Sequence, residues 1–241
     1  MLLIIGGAVV VVGLVGTVVA SLVEGGGGDR TVHSPPFAVN SASAFAFAEA
    51  RAVAERLPLS PADWGSGFMK DSTLYELSPV NETEVGSDCR LTGKLGRPGT
   101  LTTLRRSVTN TDDGVIGNSE ARVYRDAATA QRYVDDVADN IHRCPSQTDG
   151  KLRWSGVREA TPPRLTGFDV LLSEEGRQVA DMRGLKTDFP YVVLTGRLRN
   201  TVMSVYVNGQ QGSEQQIRTY AQGGLALMRS RLQEPSDTAS S

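Results

Sequence analysis

The chain of 241 residues has only two cysteines, Cys89 and Cys144, and two histidines, His33 and His142. That supply cannot furnish the spaced Cys/His pairs of a structural zinc site. A serine hydrolase would have to take its base from one of the two histidines. No G-x-S-x-G stretch is present, and "WGSGF" does not fit that pattern. No glycine run leads into G-K-[ST], so a phosphate loop is also missing. "NTDDG" lacks the regular acidic spacing of a calcium loop and reads as a turn. Positive charge is in short supply as well. The 25 Lys and Arg face 27 Asp and Glu, for a net charge of −2, which leaves no electrostatic footprint for nucleic acid. Only Lys70, Lys94, Lys151 and Lys186 are lysines. The arginine excess, with abundant Ala, Val and Gly, fits the codon bias of a GC-rich bacterial genome better than a binding face. No metal, no cofactor and no catalytic residue is expected.

What is present begins with a charge-free run, "LLIIGGAVVVVGLVGTVVASLV", over residues 2–23. At 1.5 Å per residue it reaches about 33 Å as a helix, enough to cross a bilayer core. The reading favours a retained single-pass anchor in the membrane lipid. The alternative is a signal sequence cleaved after Ala20, behind small residues, which would make the protein secreted. No cysteine lies near the end of the run, which closes the lipoprotein route. No Lys or Arg precedes it, which points to a short basic leader upstream of Met1. Gly6, Gly13, Gly16 and Ala20 share one helical face, where small side chains would let two copies pair as a homodimer; chance glycine content is the competing explanation.

Composition divides the rest. Residues 24–42, with four consecutive glycines and Pro35-Pro36, read as a flexible linker. Residues 43–232 read as the folded extracytoplasmic domain, and 233–241 as a disordered tail. Within the domain, 43–57 has helical spacing, with Phe47, Ala50, Val53, Ala54 and Leu57 on one face and Pro58 at its end. "LSPADWGSGFMKD" reads as a loop and "LYELSPV" as a short strand. Residues 100–110 and 115–126 read as a hairpin around "TDDG". Residues 127–143 give the strongest helix, capped by Asp126, with Ala130, Tyr133, Val134, Val137 and Ile141 facing a core. Strands follow at 168–175 and 177–185 around a turn at Gly176, then at 191–200 and 201–209. A last helix over 213–232 opens on a capping box of Ser213 and Gln216. Runs of hairpin-linked strands with helices between them predict an α+β fold, an antiparallel sheet with packed helices, preceded by an N-terminal transmembrane helix.

Cys144 ends the long helix two residues after His142. On a helix those side chains diverge by about 200°, so they form no dyad. An even cysteine count and an export signal favour a Cys89–Cys144 disulfide over free core thiols or a functional cysteine. Arg122, Tyr124 and Arg125 lie together at the entry to that helix, with Arg105 and Arg106 on the expected partner strand. Arg122 and Arg125 are the candidate contacts for an anionic ligand; a solvated sheet face is the alternative.

The order of features, from the membrane run through "LSPADWGSGF", Cys89 and "EARVYRDAATAQRYVDDVADNIHRC" to "GRLRNTVMSVYV" and a closing helix, resembles the PknH-like extracellular sensor domain of actinobacteria. The resemblance covers about residues 50–232. It implies an antiparallel sheet with flanking helices, a cleft, and a role in sensing or binding an unidentified ligand. The chain departs from the kinase-linked members in having no kinase domain and one cysteine pair where they have more. The function expected is a membrane-anchored extracytoplasmic binding or sensor-like domain without catalysis, meeting a small ligand or an envelope partner. A structural scaffold of the envelope is the first alternative and an exported hydrolase the second.

Overall fold

The computed structural model describes residues 41–72, 75–78, 81–182 and 185–234. Helix α1 spans Ser41–Arg56 and helix α2 Pro61–Trp64; short strands β1, Met69–Lys70, and β2, Glu76–Leu77, follow. Strands β3, Asn81–Val85, and β4, Leu91–Leu95, form a separate two-stranded hairpin. Strands β5, Thr100–Asn110, and β6, Val115–Tyr124, lead into helix α3, Ala127–Arg143. Then come β7, Ser146–Thr148, β8, Leu152–Glu159, β9, Val170–Met182, β10, Leu185–Leu198, β11, Thr201–Asn208, and helix α4, Glu214–Gln233. The nine-stranded sheet runs β1-β5-β6-β11-β10-β9-β8-β7, with β2 also paired to β5. Every ladder in it is antiparallel. This is the expected α+β architecture.

Period-two alternation sorts the sheet into two faces. Met203, Val205 and Val207 of β11, with Val192 and Leu194 of β10, join Leu57, Leu59 and Trp64 and the Ile217–Ala221–Leu225–Met228 stripe of α4 in the main core. The intervening Val202 turns to the other face, where it meets Tyr124 and the Ala130–Val134 stripe of α3. Helices α1, α2 and α4 therefore cover one face and α3 the other. Against the core, α1 packs through Ala50 and Ala54 onto Leu104 and Val123, whereas Phe47, expected on the same stripe, is 49% exposed. The Asp126 cap forms as expected, its carboxylate accepting from the Thr129 N–H at 2.7 Å.

Three local expectations are corrected. Gly176 is not a turn: β9 runs through it unbroken, opposite Tyr191. A Cβ there would sit 2.8 Å from Tyr191 Cε1, so the glycine marks a ring lying on the strand. The Ser213–Gln216 box does not form; the Ser213 hydroxyl donates back to Gln210 O at 2.6 Å, and Gln216 Nε2 donates to Asp113. The "LSPADWGSGFMKD" loop contains α2, where the Asp63 carboxylate accepts from the Ser60 N–H at 2.7 Å.

The Cys89–Cys144 disulfide is present, with Cα atoms 5.5 Å apart. It ties the tip of the β3–β4 hairpin to the end of α3, where Arg143 also donates to Gly86 O at 2.8 Å and Val85 O at 3.1 Å. Residues 2–23, with the anchor and the Gly6/Gly13/Gly16/Ala20 face, lie outside the described residues. Among the described residues no helix is long and apolar enough to cross a membrane.

Candidate functional site

Strand register brings distant segments to one end of the sheet. Thr201 pairs with Val123 and Thr100 with Tyr124, so the β10–β11 turn lies beside the end of β6 and the start of β5. Tyr124 N donates to Asn200 O at 2.9 Å and Asn200 Nδ2 returns a bond to Tyr124 O at 2.7 Å. Above this end, α1 and the last turn of α4 stand apart, leaving a groove of about 550 Å³. Its apolar lining comes from Ala46, Ala50, Val53, Leu101, Val123, Leu198 and Leu232; its polar lining includes Glu49, Arg125, Arg199 and Asn200. The volume falls in the range of small-molecule sites, roughly 300–1,000 Å³.

Arg199 occupies the first position of a two-residue turn with φ 56°, a conformation that L side chains other than Asn and Asp rarely adopt. The turn is clamped in it. Arg199 N donates to Asp169 Oδ2 at 2.7 Å, Arg197 Nη1 donates to Arg199 O at 2.8 Å, and Asp169 pairs with Arg197 at 3.0 Å. The Arg199 side chain itself is exposed, as is that of Arg125. Among the described residues neither guanidinium makes a hydrogen bond or ion pair.

The two arginines singled out in the sequence part company. Arg125 lines the groove. Arg122 points to the opposite face, is 6% exposed, pairs with Glu120 at 2.6 Å and lies 5.0 Å from the Tyr133 ring centroid. Arg105 and Arg106 fall on β5 as expected, on alternate faces; Arg106 donates to Glu76 at 2.8 Å and Pro58 O at 2.6 Å. Arg199 was not singled out. The "RLRN" hairpin was legible, but an arginine where glycine is the usual occupant has no signature in the string itself.

The most perturbed ionisable groups lie away from the groove, on the face that α3 partly covers. Tyr191 OH donates to Glu174 Oε1 at 2.7 Å, and its ring stacks on Tyr206 with centroids 5.6 Å apart. Gln178 Oε1 accepts from Tyr206 OH at 2.9 Å and from Asn208 Nδ2 at 2.6 Å. Burial pushes the Glu174 carboxyl above its ordinary value, with the Tyr191 hydrogen bond opposing. Burial, then the Glu174 charge, pushes the Tyr191 phenol up. These groups bond to one another, which makes the cluster a brace of the sheet. On the other face the neighbouring Glu175 is held below its ordinary value by its hydrogen bond from Arg218, against the effect of burial. Among the described residues no three metal-ligating side chains converge. The one described histidine, His142, is 64% exposed at its side chain and faces Glu159 at 3.0 Å.

No protein-family model matches the chain, and no curated protein matches it. Among solved structures, the extracellular domain of PknH from Mycobacterium tuberculosis superposes with a TM-score of 0.52 at 14% identity, over 75% of this chain and 95% of that domain. An uncharacterized protein from Mycobacterium smegmatis superposes at 0.42 and 9% identity, over 69% of this chain and 92% of that one. At 14% identity the first likeness is one of fold: the chain folds like the PknH extracellular domain.

Proposed function

We propose that this chain is an extracytoplasmic ligand-binding domain of sensor type, anchored in the membrane by residues 2–23, which holds a small ligand in the groove between α1, α4 and the β10–β11 turn. The observation that carries the reading is the groove itself: about 550 Å³ with an apolar lining and two exposed, unpaired arginines. The disulfide supports an oxidising compartment. The fold shared with a domain described as extracellular supports the same side of the membrane. One wall of the groove is α1, whose first residue, Ser41, follows directly on the segment that would lead to the anchor. Occupancy would thus be felt at the helix that opens the domain.

The test is a thermal-shift titration of the purified full-length chain against a panel of small anions and amphiphiles. A ligand at a hundredfold excess over its Kd stabilises by about 2.7 kcal/mol, which raises the midpoint of a domain this size by roughly 5–10 °C. The rise should saturate and should vanish in Ala46→Trp, which fills the groove from its partly exposed α1 wall. A flat response across the panel would refute the reading.

A further inference from the structure

We infer that the ligand of the groove is an amphipathic anion, an alkyl body bearing one carboxylate or phosphate head, with Arg125 and Arg199 gripping the head and the apolar lining holding the body. This rests on the reading of the groove as a ligand site. Three observations carry it. First, the charge is unspent. Both guanidinium groups are exposed and, among the described residues, make no hydrogen bond or ion pair. Several other exposed arginines have carboxylate or carbonyl partners, as Arg51 has in Glu55, Arg143 in Gly86 and Arg158 in Glu175. The acidic residues at hand are Glu49 in the lining, Asp126 beside Arg125 and Asp169 beside Arg199; Asp169 is already paired with Arg197, and the Asp126 carboxylate is engaged by Thr129.

Second, the turn holds Arg199 at a cost. Its φ of 56° is one that glycine would adopt freely. Glycine would serve the hairpin better and the groove not at all, so the side chain is kept for something other than the fold. The Asp169 and Arg197 clamp fixes the backbone and leaves the guanidinium free. Third, the remaining lining is hydrocarbon: Val53, Leu101, Leu198 and Leu232 come from four separate elements. A fully polar anion such as inorganic phosphate would leave that surface wet. A neutral alkyl compound would leave two cations without a partner. A planar guanidinium pair also suits the paired oxygens of carboxylate or phosphate better than a single hydroxyl.

The experiment is calorimetric titration of the full-length chain in phosphatidylcholine nanodiscs, with empty nanodiscs as the blank. The probes are decanoate, dihexanoyl phosphatidic acid, 1-decanol, decylammonium and inorganic phosphate. Saturable binding of decanoate, at least tenfold tighter than that of decanol or of phosphate, is expected. If dihexanoyl phosphatidic acid binds tighter still, the same chemistry comes from a two-chain lipid. Arg199→Gly should weaken decanoate about tenfold or more while leaving decanol unchanged. The same variant should raise the thermal midpoint of the free protein by about 2–4 °C, because the turn strain is relieved. That rise separates loss of the head contact from damage to the fold. Arg125→Gln should weaken decanoate without the rise. Decanol binding as tightly as decanoate, decylammonium preferred over both, or Arg199→Gly leaving decanoate unaffected would each overturn the inference while the groove remains a ligand site. If no probe binds, the inference and the reading beneath it fall together.

Discussion

Breaking the Cys89–Cys144 bridge should cost most of the domain's margin of stability, and the loss should depend on what replaces Cys89. The bridge closes a sequence separation of 55 residues. In the chain-entropy model a loop of that size restrains the unfolded chain by about 4 kcal/mol. Cys144 is completely buried, so Cys144→Ala strands no polar atom and leaves a void of one sulfur. Cys89 sits at φ 60°, where an L side chain costs about 1–2 kcal/mol and glycine does not. The double variant Cys89→Ala/Cys144→Ala should therefore lose about 4 kcal/mol. With a urea slope near 2 kcal/mol per molar, its midpoint falls by roughly 2 M. Cys89→Gly/Cys144→Ala should lose about 1 kcal/mol less, since relief at residue 89 exceeds the extra unfolded-state entropy of glycine. Equilibrium urea unfolding followed by tryptophan fluorescence measures both. Trp64 in the main core and Trp154 on β8 report on both sides of the sheet. A loss below about 1 kcal/mol in the alanine pair would show that the unfolded chain is already compact around this loop. A glycine pair no better than the alanine pair would refute the backbone part of the argument.

Three further outcomes can be measured on the same protein. Glu174 holds its proton more tightly folded than unfolded, so its contribution is intact below about pH 4.5 and is lost as pH rises through the folded value. Glu174→Gln should flatten that limb of the stability–pH profile, and an unchanged slope would count against burial as the cause. Glu175 is the reverse case: its stabilising effect is present above about pH 4.5 and disappears as pH falls through its lowered value. Glu175→Gln should thus weaken the domain at pH 7 and make little difference in strong acid, as thermal melts at the two pH values would show. In α4, a Cβ on Gly224 would lie 2.9 Å from Leu59 Cδ1 in the closed core, whereas one on Gly223 would meet nothing within 4 Å. Gly223→Ala should stabilise by about 0.5–1 kcal/mol and Gly224→Ala should destabilise by about 1 kcal/mol or more; equal signs would refute the packing of that helix.

The parts of the fold that sequence alone predicts are those that local chemistry decides. Asp126 opens α3, and "TDDG" closes β5 onto β6. Gly176 shows where this stops. Its neighbours look like a turn, yet the residue that explains it is Tyr191, on another strand. Glu174 and Glu175 stand side by side as an undistinguished pair, and the pleat sends them to opposite faces, where one carboxyl is pushed up and the other held down. The groove is of the same kind. Arg125 and Arg199 are brought together by the register of Thr201 on Val123. Arg122, nearer to Arg125 in the chain, goes to the far side of the sheet. Side-chain direction along β6 was available from the alternation of its buried positions; the meeting of β6 with the β10–β11 turn was not.

The strand order has a colloidal consequence. The sheet ends in β1 and β2 on one side, with two residues each, and in β7 on the other, with three, although β10 inside the sheet has 14. An incoming chain that tried to extend the sheet would find a rim only a few hydrogen bonds long at either side. At one side it would meet Lys70, and at the other Pro145 directly before β7. A sheet this wide could otherwise template its own polymerisation. With its long strands kept inside, the domain can be crowded against its neighbours without seeding fibres.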